Sequence, residues 1–524
     1  MPVKAPLKAP AIVAPDWTGF YVGGNLGGII GSGRTDDAIS LDPAGIPGGG
    51  VAPGVINPIS TVSAANSPSG ALGGLQLGYN WQPGPWVLGA EGDFDWSGAK
   101  SSIQDSNFLA SSVVVAPAAL TYGNEEKLRW LATARARLGW ADDSFLWYIT
   151  GGAAWGRIQS NYNFQATGST VFLTPPAAFS ANTTKAGWVV GGGVETMLGW
   201  MGASNRWSAK LEYLYVDLGT VNNTFSVPFT STSAGPSAYT ITSSNHIQEN
   251  IVRAGLNYRF GGGAERAYAS AASSYASAGY NWSGFYIGAN LGGSIGHDKT
   301  TDSITLDPPT ANAANVTNPV SDVSATTAPK GILGGGQIGY NWQTSNWVLG
   351  AEADWDLTSQ RDHIDRSNFI ASTVVVAPGT LTYSDEQKLK WLATLRGRLG
   401  VAQGGSLWYV TGGLAGGKVQ SNYNFQGVQT IGIGQFGTDA TTASFSTTKR
   451  GWTAGGGIET MLPWMNAKGW SAKLEYLYVD LGTINNSFSA PVIGGLATGT
   501  YNYTSSIRVQ DHIVRLGVNY RFGG

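Results

Sequence analysis

The sequence predicts an all-β fold, a transmembrane antiparallel up-and-down β-barrel, and three observations predict it. Charged residues are only 12% of the 524, while aromatics reach 11% with 20 Trp; ordinary soluble domains carry about 25% charge. No run of roughly 18 apolar residues could form a spanning helix, yet apolar and polar residues alternate with period two in segment after segment. Tryptophans bracket those segments at the length a tilted strand needs to cross a hydrocarbon layer, about nine to eleven residues.

Composition also excludes several classes. Lys+Arg 31 against Asp+Glu 33 gives a net charge of -2, and no basic block could follow a phosphate backbone, so nucleic acid is not an expected partner. With Cys 0, disulfide frameworks, thiolate metal sites and cysteine nucleophiles are ruled out. The 75 Gly follow no collagen period and sit inside alternating segments.

The chain is written twice. Trp17-Thr-Gly-Phe-Tyr21 returns as Trp282-Ser-Gly-Phe-Tyr286, and Gly78-Tyr-Asn-Trp-Gln82 as Gly339-Tyr-Asn-Trp-Gln343. Trp130-Leu-Ala-Thr133 matches Trp391-Leu-Ala-Thr394, Lys210 to Gly219 matches Lys473 to Gly482, and Asn257-Tyr-Arg-Phe260 matches Asn519-Tyr-Arg-Phe522. These matches predict an N-terminal periplasmic segment over 1–16, a first barrel over 17–260, a linker over 261–281 and a second barrel over 282–524.

In the first copy, alternation falls at about 19–31, 70–82, 86–96, 128–140, 146–158, 186–198, 207–218 and 248–260, which reads as eight strands. Long and short connections alternate, so tight turns gather at one end and elaborate loops at the other. Two tandem eight-stranded barrels are therefore expected; one merged sixteen-stranded barrel is the alternative. The interface rows fall to Trp86, Trp96, Trp130, Trp140, Trp147, Trp155, Trp347, Trp355, Trp391 and Trp408, a membrane aromatic girdle.

The phase of each strand assigns its faces. On the strand from Trp86 to Trp96, the residues Trp86, Leu88, Ala90, Phe94 and Trp96 face lipid, leaving Glu91, Asp93 and Asp95 inside. Collected over the first copy, the interior holds Glu91, Asp93, Asp95, Glu195 and Glu212 against Arg135, Arg137, Lys210, Arg253 and Arg259. The second copy repeats it with Glu352, Asp354, Asp356, Glu459 and Glu475 against Arg396, Arg398, Lys473, Arg515 and Arg521. A lone charge in a narrow interior costs several kcal/mol, so matched sets predict an ion network filling each lumen. Strand glycines such as Gly191 to Gly193 and Gly455 to Gly457 are expected to make room for its long side chains.

No catalytic constellation is shared by both copies, so no enzyme and no cofactor are expected. His246, His297, His363 and His512 occupy inequivalent repeat positions without metal-ligand spacing. Gly23-Gly-Asn-Leu-Gly-Gly28 lacks the Gly-Lys-Ser/Thr of a phosphate cradle. Asp36, Asp37, Asp42, Asp302 and Asp307 read as solvated loop carboxylates, with Ca²⁺ or lipopolysaccharide phosphate bridging as the sharper alternative. Ser106 to Pro117 and Ser367 to Pro378 are nearly identical connecting segments.

The strings Trp-Thr-Gly-Phe-Tyr-Val-Gly-Gly-Asn-Leu-Gly-Gly, Leu-Gly-Tyr-Asn-Trp-Gln, Leu-Glu-Tyr-Leu-Tyr-Val-Asp-Leu-Gly and the closing Asn-Tyr-Arg-Phe resemble the alphaproteobacterial outer-membrane β-barrel family, porin-like surface proteins with an OmpA-like transmembrane barrel. The resemblance covers nearly all of both copies. It implies location in the bacterial cell outer membrane, contact with outer-membrane lipid and lipopolysaccharide, and folding by the barrel-assembly machinery. An assembly end-signal would then lie at Tyr258 and Phe260 and again at Tyr520 and Phe522, although Phe260 is internal and Phe522 precedes two glycines. No leader is visible, and Met1-Pro-Val-Lys resembles the start of processed members.

The expected function is a non-enzymatic structural and surface-interaction protein of the outer membrane. Plugged interiors would anchor it while long loops meet an unknown extracellular partner. A diffusion porin formed by the merged barrel, and capture of haem or another ligand by the loops, are the alternatives.

Overall fold

The computed structural model describes residues 16–42, 58–66, 68–109, 118–142, 145–167, 173–198, 206–231, 235–260, 281–307, 318–370, 379–403, 405–429, 438–462, 469–492 and 499–522. The first copy contributes β1 (Gly19–Gly31), β2 (Gly33–Asp42), β3 (Ser60–Asn66), β4 (Ser69–Trp81), β5 (Trp86–Ser97) and β6 (Lys100–Leu109). It continues with β7 (Ala118–Asp142), β8 (Phe145–Thr167), β9 (Ala177–Met197), β10 (Trp207–Ser231) and β11 (Gly235–Phe260). The second copy contributes β12 (Gly284–Gly296), β13 (Asp298–Asp307), β14 (Ser321–Thr327), β15 (Lys330–Thr344), β16 (Trp347–Thr358) and β17 (Arg361–Ile370). It ends with β18 (Gly379–Gln403), β19 (Ser406–Gln429), β20 (Thr441–Met461), β21 (Trp470–Pro491) and β22 (Thr500–Arg521).

Among the described residues, all 22 strands belong to one continuous antiparallel sheet. This corrects the expectation of two tandem eight-stranded barrels joined by a linker, and the single sixteen-stranded barrel is not found either. The overturning observation is pairing between copies: β3 pairs with β17 and β6 pairs with β14. Residues 1–15 and residues 261–280 of the expected linker lie outside the described residues.

The sheet has two tiers. In the lower tier hydrogen bonding runs from β1 through β4, β5, β7, β8, β9, β10 and β11 back to β1, where Phe20 pairs with Phe260. The second copy follows the same circuit from β12, which pairs with β15 and β22. In the upper tier the circuit crosses between copies, from β11 to β2, β3, β17 and β18, and returns through β22, β13, β14, β6 and β7. Val62, Ala64, Ile103, Val323, Ala325 and Ile364 from the four crossing strands pack on one another and pinch this tier into two lobes.

The lower tier is apolar outside. Phe20, Leu26, Leu75, Trp86, Trp96, Ile149 and Trp155 are exposed, as are the counterparts Phe285, Leu291, Trp347, Leu357 and Val410. From Trp86 to Trp96 is ten residues, and at ~3.3 Å per residue and ~40° tilt that spans about 25 Å of axis, the height of a lipid-facing band. The upper tier reverses this polarity. In β8 the inward residues become Tyr162, Phe164 and Ala166, while Asn161, Asn163 and Gln165 turn outward.

Bulges mark the boundary. The β7–β8 register shifts between Leu128 and Trp130, so Arg129 and Trp130 both point outward and the inward series passes from Leu128 to Leu131. In β10 the shift falls between Asp217 and Gly219; Gly219 adopts φ 72°, and its N–H donates to Asp217 Oδ1 at 2.8 Å. The end of Leu-Glu-Tyr-Leu-Tyr-Val-Asp-Leu-Gly, which both copies carry, is thus a bulge that needs glycine. Gly482 repeats it at φ 77°.

Candidate functional site

The lumen of each lower-tier ring is filled by one charge cluster. Arg135 reaches Glu91 at 2.5 Å, Asp93 at 2.7 Å and Glu212 at 2.8 Å. Arg253 reaches Asp95 at 2.7 Å, Glu212 at 2.8 Å and Asp93 at 2.9 Å, Lys210 reaches Glu91 at 2.7 Å, and Arg137 reaches Glu195 at 2.9 Å. The side chains of Arg135, Lys210 and Arg253 are 0% exposed, so each cation is covered by its protein neighbours.

The second copy reproduces the geometry. Arg396 pairs with Glu352 (2.5 Å), Asp354 (2.6 Å) and Glu475 (2.9 Å), while Arg515 pairs with Glu475 (2.7 Å), Asp354 and Asp356 (both 2.8 Å). Lys473 meets Glu352 at 2.8 Å and Arg398 meets Glu459 at 2.7 Å. Arg259 and Arg521, expected in the same network, sit instead at the short-turn mouth, 5.2 Å over Trp17 and 4.5 Å over Trp282.

Sequence reasoning missed the neutral members. Tyr21 donates to Glu91 at 2.6 Å, Tyr148 to Glu212 at 3.0 Å and Thr133 to Asp93 at 2.7 Å, and Arg137 lies 4.0 Å over the Tyr148 ring. Their signal was the same inward phase that located the charges. The glycine expectation is corrected in part. A Cβ on Gly193 would meet Tyr148 and backbone; space for cations is provided by Gly27 beside Arg253 and Gly255 beside Lys210.

Apolar layers close the cluster above and below. Trp17, Val87, Leu146, Tyr148 and Met197 form a cap at the short-turn end. Above the charges, Ile29, Leu72, Leu128, Leu131, Leu214 and Ile251 belong to one continuous apolar layer. Low dielectric on both sides strengthens the pairing and makes any unpaired member costly.

The tryptophans form two outward rows. Trp86, Trp140 and Trp147 lie side by side across adjacent strands, as Trp96 and Trp130 do at the other boundary. Trp155, Trp347 and Trp355 are exposed, and Trp391 and Trp408 are partly exposed on the same face. Trp188 and Trp452 extend the upper row and were missed. Tyr258, Phe260, Tyr520 and Phe522 stack as edge-to-face pairs, both 5.2 Å, at the ring closures.

The carboxylates read as loop residues are on strands. Asp36, Asp37 and Asp42 lie in β2 and Asp302 and Asp307 in β13; Asp37 and Asp302 point into the upper lobes. Asn124 donates to Asp37 at 3.2 Å, and burial pushes the Asp37 carboxyl up to about 6. Burial also raises Asp302, which accepts from Tyr383 at 2.9 Å, and raises the neighbouring Asp385. Among the described residues no group of three or more His, Cys, Asp or Glu is arranged to hold a metal ion. The matching segments 106–117 and 367–378 fall largely outside the described residues.

A charge reversal sits at the junction of the copies. Asp105 in β6 and Arg366 in β17 hold equivalent repeat positions, opposite Tyr122 and Tyr383, and form a buried ion pair with each other. Arg34 also reaches Asp365 across the junction at 3.4 Å.

The family model of the outer membrane protein beta-barrel domain matches twice, over residues 5–260 and 267–522. The chain belongs to this outer-membrane β-barrel family. It is 33% identical over 247 residues to the 31 kDa outer-membrane immunogenic protein of Brucella melitensis, covering 46% of this chain and 85% of that protein. To the 22 kDa outer membrane protein of Rhizobium leguminosarum it is 27% identical over 210 residues, 40% of this chain and 68% of that protein. These relatives and the lipid-facing band place the protein in the bacterial outer membrane. Among solved structures, a Pseudomonas aeruginosa FadL homologue aligns over 96% of this chain and 90% of that chain at 10% identity, with a TM-score of 0.22.

Proposed function

We propose that the protein is a closed, non-enzymatic outer-membrane scaffold whose two plugged lumens anchor one rigid upper tier for contact with an extracellular partner. The observation that carries this reading is the lumen itself. Ion pairs of 2.5–2.9 Å with fully covered cations fill it, and apolar layers lie above and below. A hydrated ion crossing it would have to break several buried pairs in a low-dielectric medium, each costing several kcal/mol. The upper tier supports the surface role because it is built from paired strands rather than free loops. Strand pairing fixes its outward Ser, Thr, Asn and Gln side chains relative to one another, which favours a preorganised binding face.

Planar-bilayer recording of the full chain tests this. The expected record is silent at ordinary salt and voltage. A steady single-channel current from correctly folded protein would refute a closed scaffold.

A further inference from the structure

We infer that the crevice between the two copies, on the side lined by Lys330 and Arg361, is a binding site for a phosphorylated glycolipid of the outer leaflet. The crevice encloses about 750 Å³ and is walled by Tyr213, Tyr215 and Asn250 of one copy and by Lys330, Ile332 and Arg361 of the other. Its height in the bilayer is fixed by Tyr215, whose ring packs 5.3 Å from that of Trp188 in the upper tryptophan row. The site therefore straddles the boundary where lipid headgroups meet acyl chains.

Its two ends differ in chemistry. At the top, Lys330 begins β15 and pairs with Arg361 at the start of β17, and both side chains are exposed. Lys330 Nζ donates to Ser32 O at 3.1 Å and to Gln248 Oε1 at 3.5 Å, both of the other copy, which holds the ammonium over the crevice and leaves its third N–H for a ligand. Tyr213 donates to Asn250 Oδ1 at 2.7 Å on the opposite wall. Two residues below Lys330, Ile332 is 67% exposed and faces the lipid band. Two cations above an apolar foot fit an anionic head that carries acyl chains. Free phosphate would satisfy only the upper half.

The opposite crevice supplies an internal control. There the repeat places Ser69 where Lys330 stands and Lys100 where Arg361 stands, and Ser69 pairs with Lys100 in register. Ser69 Oγ is hydrogen-bonded to His297 Nε2 at 3.1 Å. One cation of the two is gone, so one tight site per chain follows. This inference is independent of whether the lumens conduct.

Native mass spectrometry of the detergent-solubilised full chain, titrated with purified diphosphoryl lipid A, tests it. One tightly retained lipid per chain is expected. The double variant K330A/R361A should weaken retention about ten-fold or more, Arg361→Ala alone about three-fold, and Lys100→Ala less than two-fold. Arg361→Ala leaves the Lys330–Ser32 contact in place, so it reports on the site even if the double variant fails to fold. Fully dephosphorylated lipid A should bind at least ten-fold more weakly, and millimolar inorganic phosphate should not displace the lipid. Equal binding by wild type and Arg361→Ala, indifference to dephosphorylation, or displacement by inorganic phosphate would each overturn the assignment.

Discussion

The two tiers of a single strand obey opposite rules. In the lower half of β8, Ile149 and Trp155 point outward and Tyr148 and Thr150 inward; in the upper half, Asn161 and Asn163 point outward and Tyr162 and Phe164 inward. Backbone, pairing partners and twist are shared, so only the outer solvent has changed. Where it is hydrocarbon, exposed apolar surface costs nothing and polar groups retreat to a salt-bridged interior. Where it is water, burying Tyr162, Phe164 and their neighbours contributes the usual stabilisation, about 1.5–3 kcal/mol per large side chain. The bulges at Arg129–Trp130 and Gly219 lie where one rule hands over to the other.

The largest effects should come from the lower tier. Replacing Arg253 by Ala leaves Asp93, Asp95 and Glu212 short of a partner in a sealed lumen, a loss of about 3–5 kcal/mol. Arg515→Ala should do the same in the second copy, and urea unfolding in lipid bilayers would measure both. Loss of under 1 kcal/mol in either would show that water reaches the cluster.

The junction comes next. Arg366→Asp sets two carboxylates against each other, and the upper tier should become protease-sensitive while the lower tier keeps its detergent resistance. The exchange Asp105→Arg with Arg366→Asp should recover much of the loss, because the pair is restored in reverse. Failure of the exchange alone to recover anything would point to geometry, rather than charge, as what joins the copies.

A smaller effect should follow pH. Folding raises the Asp37 carboxyl from its ordinary 3.8 to about 6, so the folded chain holds a proton that the unfolded chain releases. Stability from this group is fully present below about pH 4 and falls as pH rises to above 6, by about 3 kcal/mol at most. Limited proteolysis of the upper tier should therefore be faster at pH 7.5 than at pH 5, and Asp37→Asn should reduce that difference without abolishing it, because burial raises Asp302 and Asp385 in the same direction. The smallest effect is at the bulge: Gly219→Ala meets no atom within 4 Å but must hold φ 72°, at a cost of about 1 kcal/mol. A thermal melt unchanged by it would mean the bulge relaxes freely.

These contrasts also explain what could be read from the sequence. The lower-tier faces were legible because the alternation there sets Trp and Leu against Asp, Glu and Arg, as from Trp86 to Trp96. The upper tier was read as loop for two physical reasons. Its outward residues are Ser, Thr, Asn and Asp, which also compose loops, and the bulge at Arg129–Trp130 breaks the period-two phase just where the strand leaves the membrane. Asp37 illustrates the result: read as a solvated carboxylate, it is buried because β2 pairs with β11. The joining of the copies depends on register between residues more than two hundred positions apart, which local alternation does not encode. Its trace was the reversal of charge between Asp105 and Arg366 at equivalent positions of otherwise similar repeats.

Because the chain contains no cysteine, single nitroxide labels can be placed along the outward face of β8 without background. In bilayers, labels at Ile149, Ala153 and Trp155 should be accessible to oxygen and shielded from a water-soluble nickel chelate, and labels at Asn161, Asn163 and Gln165 should show the reverse, with the crossover near Arg157. A single accessibility profile running unchanged from Ile149 to Gln165 would contradict the division of each strand between oil and water.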